Sequence, residues 1–178
     1  MTDKVYDVSE VLISKEEIQK RVAEIGAEIT RDYKGEPVLL IGILKGSVPF
    51  MADLMRSIDL DVAIDFMSVS SYGGGVKTSG VVRIIKDLDS DIRNVNVIIA
   101  EDIIDSGLTL NYLKDYLLKR GPRSLRIATL LDKPARRQVS LRPDYVGFEV
   151  EDKFIVGYGL DIDQKYRNLP YISWVRTE

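Results

Sequence analysis

The sequence predicts an α/β fold with a mostly parallel twisted sheet flanked by helices. Short apolar runs, which suit buried strands, alternate with segments that carry apolar residues at helical spacing as far as about residue 131. The central run, residues 97–100, is apolar throughout and is followed at once by acids, as expected at the carboxyl end of a buried parallel strand. The last third is irregular, with short strand-like pieces among turns, and this predicts a small C-terminal hood.

Two helices and one strand are predicted near the start of the chain. Ser14 and Glu17 have the spacing of a capping box, and the helix that they open has an apolar face made of Ile18, Val22, Ile25 and Ile29. Residues 38–43 are predicted to form a buried strand. Gly46, with Pro49 just beyond it, marks the turn into a second helix that contains Phe50, Leu54 and Met55.

Residues 62–69 and 81–85 are predicted strands, and the polar, glycine-rich residues 70–80 separate them. Such a long connection in a compact domain is usually functional, so we predict a flexible lid over the site; the alternative is a hairpin tip without a function. Residues 108–119 are predicted to form a helix and residues 125–131 the next strand. The apolar positions of that helix are Leu110, Leu113, Leu117 and Leu118.

The remaining strands are short and are predicted at residues 145–150, 154–156 and 171–175. No repeat, low-complexity tract or linker divides the chain, so residues 1–178 are predicted to form a single domain. Its core is expected to span about residues 10–140, and its hood about residues 141–178 together with some N-terminal residues.

The composition excludes several classes of catalyst. The 178 residues include no cysteine and no histidine, so disulfides, thiol nucleophiles, histidine-dependent catalysis and zinc sites of histidine or thiolate are excluded. Acid–base work is left to Asp, Glu, Lys or Tyr, and any metal would be a hard cation such as Mg²⁺. The net charge of −3 gives no general attraction to nucleic acid. Residues 1–7 lack the features of a signal peptide and no apolar run has transmembrane length, so a cytoplasmic protein without a membrane partner is expected.

The acids and small residues after the central strand predict a phosphate-binding turn. Glu101 and Asp102 emerge near the carboxyl end of the strand, and Asp105 follows after a short turn. Residues 106–109 supply hydroxyls and accessible backbone N–H groups at the start of a helix, where anions bind. The alternative is a helix merely capped by Asp105 or Ser106, but a cap explains one polar residue and not three acids.

Further polar residues are expected at the same edge of the sheet. Lys45 and Gly46 follow the first buried strand in a second small-residue turn, which indicates a substrate with two separate phosphate groups, although Lys45 alone would be taken for a surface lysine. Lys133 comes just after another strand. Phe154 is by default a core residue, with stacking on a planar ring as the alternative. Arg167 is either a surface arginine or an anion clamp.

Together these motifs resemble those of the type I phosphoribosyltransferases, and among them the hypoxanthine-guanine family of purine-salvage enzymes. Residues 101–109 resemble the family's phosphoribosyl-pyrophosphate signature, and residues 44–46 resemble its pyrophosphate loop. The other matches, in chain order, are the flexible-lid pair Ser71 and Tyr72, the purine-oxygen lysine motif at 132–134, the base-covering hood at 154–161 and the pyrophosphate-arginine motif at 166–169. The likeness extends from about residue 13 to residue 175.

The resemblance implies the type I phosphoribosyltransferase fold and transfer of 5-phosphoribose from phosphoribosyl pyrophosphate to N9 of hypoxanthine or guanine. The products would be IMP or GMP and pyrophosphate, and Mg²⁺ would be the cofactor. By position, Glu101 and Asp102 would engage the ribose hydroxyls, and these two carboxylates and Asp161 would bind magnesium. Asp105 would be the catalytic residue and would take or share the proton at N7 of the base. The phosphoribose would be held by Glu101, Asp102, Asp105, Ser106, Gly107, Leu108 and Thr109.

The resemblance also assigns the base and the pyrophosphate. The purine-binding residues would be Lys133, which donates to O6, Phe154, which stacks on the ring, Ile155, whose backbone addresses the base edge, and Asp161, near the C2 side. Pyrophosphate would be bound by Lys45, Gly46 and Arg167, and the Leu44–Lys45 peptide is expected to be cis. A homodimer or homotetramer is implied as well.

Two relatives of the same fold remain as alternatives, a xanthine-preferring phosphoribosyltransferase and an RNA-binding regulator of pyrimidine operons. The acidic charge balance and the purine-type hood disfavour the RNA-binding regulator. No nucleic-acid partner is therefore expected. A P-loop kinase is a poorer alternative, because the Gly-x-x-x-x-Gly-Lys-Ser/Thr motif does not occur in the sequence.

Overall fold

A computed structural model describes residues 6–71 and 82–176, apart from the side chain of Ser71. The strands are β1 (Asp7–Ile13), β2 (Val38–Leu44), β3 (Val62–Ser71), β4 (Val82–Lys86), β5 (Asn96–Ile104), β6 (Ser124–Asp132), β7 (Tyr145–Glu149), β8 (Ile155–Val156) and β9 (Ile172–Arg176). The helices are α1 (Lys15–Tyr33), α2 (Val48–Ser57) and α3 (Leu108–Leu118), with a short 3₁₀ helix at Pro134–Arg136. Among these residues, no helix combines the length and apolarity that a membrane crossing requires.

Six strands form the larger sheet, in the order β4-β3-β2-β5-β6-β7. All neighbours in it are parallel except β3 and β4, which pair antiparallel at one edge. The predicted α/β fold with a mostly parallel sheet is therefore confirmed. The smaller sheet is antiparallel, in the order β1-β9-β8, and joins the beginning of the described chain to its end.

Helices cover both faces of the larger sheet because each buries one apolar stripe against it. Residues of α1 and α2, among them Ile25 and Phe50, share one core cluster, whereas Leu113 of α3 belongs to the cluster on the other face. The capping box at Ser14 and Glu17 is present as predicted. The predicted helix after β5 is present as α3, with Leu110, Leu113 and Leu117 buried, whereas Leu118, its last residue, is 47% exposed.

The register of β5 determines where its acids lie at the carboxyl edge of the sheet. Pairing with β2 ends at Ala100, whereas pairing with β6 continues to Ile104. The acids therefore lie inside β5 near its carboxyl end, as predicted, because backbone pairing with β6 continues past the apolar run. The backbone around Glu101 and Asp102 pairs with β6 on one side. On the other side it is not paired with β2 and faces the loop that follows β2.

The hood and the lid are described only in part. The smaller sheet takes its strands from residues 7–13 and 155–176, while β7 extends the larger sheet past residue 140. The proposed division of the domain near residue 140 stays a prediction. In the predicted lid, Ser71 ends β3, whereas Tyr72 and the rest of the segment up to residue 80 lie outside the described residues.

Candidate active site

The loop between β2 and α2 lies against the acids of β5. The Leu44–Lys45 peptide is cis, as predicted. Gly46 is buried, and a Cβ atom built on it would lie 1.8 Å from Oδ2 of Asp102. Only glycine therefore allows the Asp102 carboxylate to approach this loop so closely. Ser47 fixes the loop to its strand, because its hydroxyl donates to the carbonyl of Ile43 at 2.7 Å.

Glu101 and Asp102 form a crowded acid pair. Both side chains keep partial exposure, yet burial of the carboxyl groups and the charge of Asp102 raise the pKa of Glu101 well above its usual range. Burial also raises the pKa of Asp102, and the backbone N–H of Ile103, which donates to its Oδ1 at 2.7 Å, opposes that shift. A bound cation or a developing positive charge would relieve this repulsion, so the pair is suited to stabilise either.

The turn before α3 has the features of an anion site. Gly107 occupies the N-cap position with φ of +78°, and no described side chain caps the helix there. The alternative of a cap by Asp105 or Ser106 was therefore wrong; Ser106 Oγ only accepts a long hydrogen bond from the N–H of Leu108, at 3.4 Å. A cavity of about 170 Å³ opens at this turn and is lined by Glu101, Ile103, Ile104, Asp105, Ser106, Gly107, Thr109 and Leu110.

Asp105 is exposed at the rim of this cavity and has a cationic neighbour that the sequence did not indicate. Nε of Arg136 donates to Asp105 Oδ1 at 3.2 Å, and Nη1 of the same guanidinium donates to Asp152 at 3.4 Å. The charges of Asp105 and then Asp152 raise the pKa of Arg136. Arg136 therefore bridges the phosphate turn and the segment that precedes β8.

Lys133 links the turn before α3 to the segment that carries Phe154. The backbone N–H of Lys133 donates to the carbonyl of Ile104 at 2.9 Å, and its buried amine donates to the carbonyl of Lys153 at 2.6 Å. The neighbouring Phe154 is 54% exposed, so its default assignment to the core was wrong and an exposed aromatic surface remains. Ile155 is buried behind it.

The segment after β8 brings Asp161, Gln164 and Arg167 to the loop of Lys45. Arg167 forms an ion pair with Asp161 at 2.8 Å and donates to the carbonyl of Gly159 at 2.6 Å. The Lys45 amine donates to the side-chain oxygen of Gln164 at 3.3 Å. Gln164 was missed in the sequence, where nothing links residue 164 to residue 45. Glycine at position 159 allows this segment to approach the loop, since a Cβ on it would lie 1.9 Å from the carbonyl oxygen of Gly46.

The described residues do not preform a cage for a metal. Among them, no group of three acidic side chains converges closely enough to hold an ion. Asp161 is paired with Arg167, so the three predicted ligands Glu101, Asp102 and Asp161 do not form one cluster. The acid pair of β5 still fits Mg²⁺, which usually takes one or two carboxylates and completes its shell with water and substrate phosphates.

A larger depression, about 690 Å³, lies at the opposite edge of the sheet, around the amino ends of β2, β3 and β5. Three charged residues line it, Glu36, Asp61 and Arg123, and Glu36 forms an ion pair with Arg123 at 2.8 Å. It contains none of the groups described above. The candidate active site is therefore the one at the carboxyl edge of the sheet.

Comparison with known proteins gives consistent matches. The phosphoribosyl transferase domain family matches residues 9–163. A hypoxanthine-guanine phosphoribosyltransferase of Bacillus subtilis is 55% identical over 168 residues, which are 94% of this chain and 93% of that protein. A bifunctional protein TilS/HprT of Listeria innocua is 51% identical over 172 residues, 97% of this chain but 26% of that protein.

A solved structure shows the same fold. The crystal structure of a hypoxanthine-guanine phosphoribosyltransferase from Bacillus anthracis, with a HEPES molecule in its active site, superposes with a TM-score of 0.92 at 52% identity. The match covers 96% of this chain and all of that one.

Proposed function

The chain belongs to the phosphoribosyltransferase family, and we propose that it transfers 5-phosphoribose from phosphoribosyl pyrophosphate to N9 of hypoxanthine or guanine, yielding IMP or GMP and pyrophosphate. Relatives at 55% and 52% identity that carry the hypoxanthine-guanine name support purine salvage. One observation carries the argument. Lys133 joins the turn before α3 to the segment that carries the exposed Phe154, because its backbone N–H donates to the carbonyl of Ile104 at 2.9 Å and its amine donates to the carbonyl of Lys153 at 2.6 Å.

The phosphate turn binds the 5′-phosphate in this proposal. The uncapped N–H groups at the start of α3 donate to its oxygens, and the hydroxyls of Ser106 and Thr109 line the same cavity. Glu101 and Asp102 engage the ribose hydroxyls and stabilise the positive charge that develops on the ring as the bond to pyrophosphate breaks. Their burial and crowding support this role, because a cationic ring offsets both the lost solvation and the repulsion by Asp102 that raise the pKa of Glu101.

The base lies on Phe154 and is read by its neighbours. The Lys133 amine donates to O6, which distinguishes 6-oxopurines from adenine, and the backbone of Ile155 addresses the other edge of the ring. N9 attacks C1′ of the ribose while the pyrophosphate oxygen leaves, and Asp105 accepts the proton that N7 loses. The exposure of Asp105 at the rim of the cavity supports its availability to substrate.

The pyrophosphate is bound by Lys45, the backbone at Gly46, and Arg167. Their positive charges offset the charge on the leaving group. Magnesium, held by Glu101 and Asp102 together with substrate oxygens, would supply further positive charge to the pyrophosphate; the part of Asp161 in its binding stays a prediction.

The test is a pyrophosphate-release assay with phosphoribosyl pyrophosphate, Mg²⁺ and one base at a time. Hypoxanthine and guanine should support turnover, while adenine and uracil should not. A preference for xanthine over both would replace this function with that of the xanthine enzymes. Salt-dependent, specific RNA binding without turnover on any base would favour the operon regulator instead. Omission of Mg²⁺ in the same assay tests the cofactor.

Assembly and location are further proposals that rest on the family resemblance. We propose a homodimer or homotetramer, to be measured by sedimentation equilibrium of the purified chain, and a monomer at micromolar concentration would contradict it. A cytoplasmic location is proposed on the same ground, and fractionation of the cells that produce the protein tests it.

A further inference from the structure

Gln164 lies at the tip of a small hairpin that reaches across the site. The backbones of Ile162 and Lys165 exchange hydrogen bonds of 3.3 and 2.9 Å, and the two residues between them, Asp163 and Gln164, have φ values of +53° and +63°. Two consecutive left-handed residues are typical of the tight turns that join antiparallel strands. The turn thus carries the Gln164 side chain out of the hood toward Lys45.

The amide of Gln164 is bonded on both sides. Its oxygen accepts from the Lys45 amine at 3.3 Å and from Nη2 of Arg167 at 3.4 Å. Its side-chain and backbone N–H groups donate to Oδ2 of Asp161 at 3.3 and 2.8 Å. The orientation of the amide is set by these partners, because only the oxygen suits two cations and only the nitrogen suits a carboxylate.

The two cations that meet at Gln164 are the ones assigned to pyrophosphate. Like charges repel, so Lys45 and Arg167 converge only if something between them accepts hydrogen bonds. Gln164 supplies one neutral oxygen for both, which holds the donors together without adding a negative charge to the one that Asp161 already places beside Arg167. A carboxylate at this position would neutralise them and compete with the phosphate oxygens.

We propose that Gln164 is a positioning residue of the pyrophosphate site, whose neutral side-chain oxygen holds Lys45 and Arg167 in place until a pyrophosphate oxygen replaces it. The inference rests on the proposed function and names a determinant of affinity for phosphoribosyl pyrophosphate and for released pyrophosphate. Gln164 touches no reacting atom in this scheme, so its effect belongs in binding and not in the chemical step.

The experiment compares two variants with a matched control. Gln164→Asn keeps the amide and tolerates a positive φ but shortens the reach by one methylene; it should raise KM for phosphoribosyl pyrophosphate about threefold and leave kcat within about twofold. Gln164→Glu adds a charge next to both cations and should raise that KM and the inhibition constant of pyrophosphate about 5- to 10-fold. Gln19→Glu makes the same chemical change at an exposed position on α1 and should change neither constant.

Melting temperatures and calorimetric titration with pyrophosphate complete the design. Because Gln164 is exposed, both variants should melt within a few degrees of the parent protein. If Gln164→Glu binds pyrophosphate as tightly as Gln19→Glu, the positioning role is overturned. A fall in kcat with unchanged KM would overturn it too. Failure of the parent protein to use any purine would instead refute the proposed function, so the two failures are distinguishable.

Discussion

Replacement of Gly46 by alanine tests whether the contact between the β2–α2 loop and Asp102 organises the site. The added Cβ would lie 1.8 Å from Asp102 Oδ2 and 2.8 Å from its Cγ. To restore ordinary van der Waals distance the two groups must separate by about 1.6 Å. We expect the carboxylate to move, since a side chain shifts more easily than the loop backbone, and the movement would strain the hydrogen bond that its other oxygen accepts from the N–H of Ile103.

The expected loss of activity follows from that displacement. A misplacement of about 1 Å in a catalytic arrangement costs about 100-fold in rate, so kcat/KM of Gly46→Ala should fall by roughly 100-fold, which corresponds to about 2.7 kcal/mol. Overpacking should also lower the free energy of unfolding by about 1–3 kcal/mol. Steady-state pyrophosphate release and urea unfolding measure the two effects separately.

Gly26→Ala is the matched control because its Cβ would lie 2.2 Å from the carbonyl oxygen of Ser57, far along the fold from the site. It should lose stability in the same way and keep the kcat/KM of the folded fraction. If Gly46→Ala retains activity within about threefold, or if both variants lose activity in proportion to stability, the contact does not organise the site.

Four further substitutions test individual assignments. Asp105→Asn should reduce turnover at neutral pH about 100-fold in the release assay, and near-normal turnover would remove its role at N7. Lys133→Met should reduce the preference for hypoxanthine over adenine at least about tenfold in kcat/KM; an unchanged ratio would contradict its role in reading O6. Phe154→Ala should raise KM for hypoxanthine about tenfold without lowering the melting temperature, because the ring is 54% exposed. The hydroxyl of Tyr145 donates to Asp32 at 2.8 Å, and this hydrogen bond is the main cause of the lowered pKa of the Asp32 carboxyl. Tyr145→Phe removes that hydroxyl. A group with a lowered pKa stabilises the fold above its unfolded-state pKa and loses this effect as the pH falls, so the variant should be about 1.5 kcal/mol less stable at pH 7 and the difference should shrink below about pH 4, as measured by urea unfolding. An equal difference at pH 3 and pH 7 would contradict this reasoning.

The fold could be predicted from sequence where a local pattern determined the structure. The capping box at Ser14 is a local motif, and the apolar faces of α1 and α2 are periodic patterns. The structure has all of these features. The end of β5 could not be predicted in the same way, because its last residues are held by backbone pairing with β6, and that pairing has no side-chain signature. Leu118 shows the same limit at the end of a helix, where spacing alone does not determine burial.

In the candidate site, residues that are contiguous in sequence could be predicted, whereas residues that only the fold brings together could not. The acids of β5 and the turn at Gly107 are contiguous in sequence, so their proximity was readable as a motif. Gln164 meets Lys45 only through the three-dimensional arrangement of the hood, across 119 positions of sequence. Phe154 was misassigned because an apolar residue beside a short strand is usually buried, whereas here the side chain faces outward just before β8 begins.

The pairing of β1 with β9 has a consequence for synthesis of the chain on the ribosome. Asp7 pairs with Arg176, so the first described strand waits for the last one, and at ordinary rates of translation that delay is roughly 10–30 s. The larger sheet, with its phosphate turn, is complete in sequence before β9 emerges. During that interval β1 presents an unpaired edge, the kind of surface that pairs with neighbouring nascent chains. The smaller sheet is thus the last part of the fold to assemble, and the nascent chain is most exposed to misassociation while β1 lacks its partner.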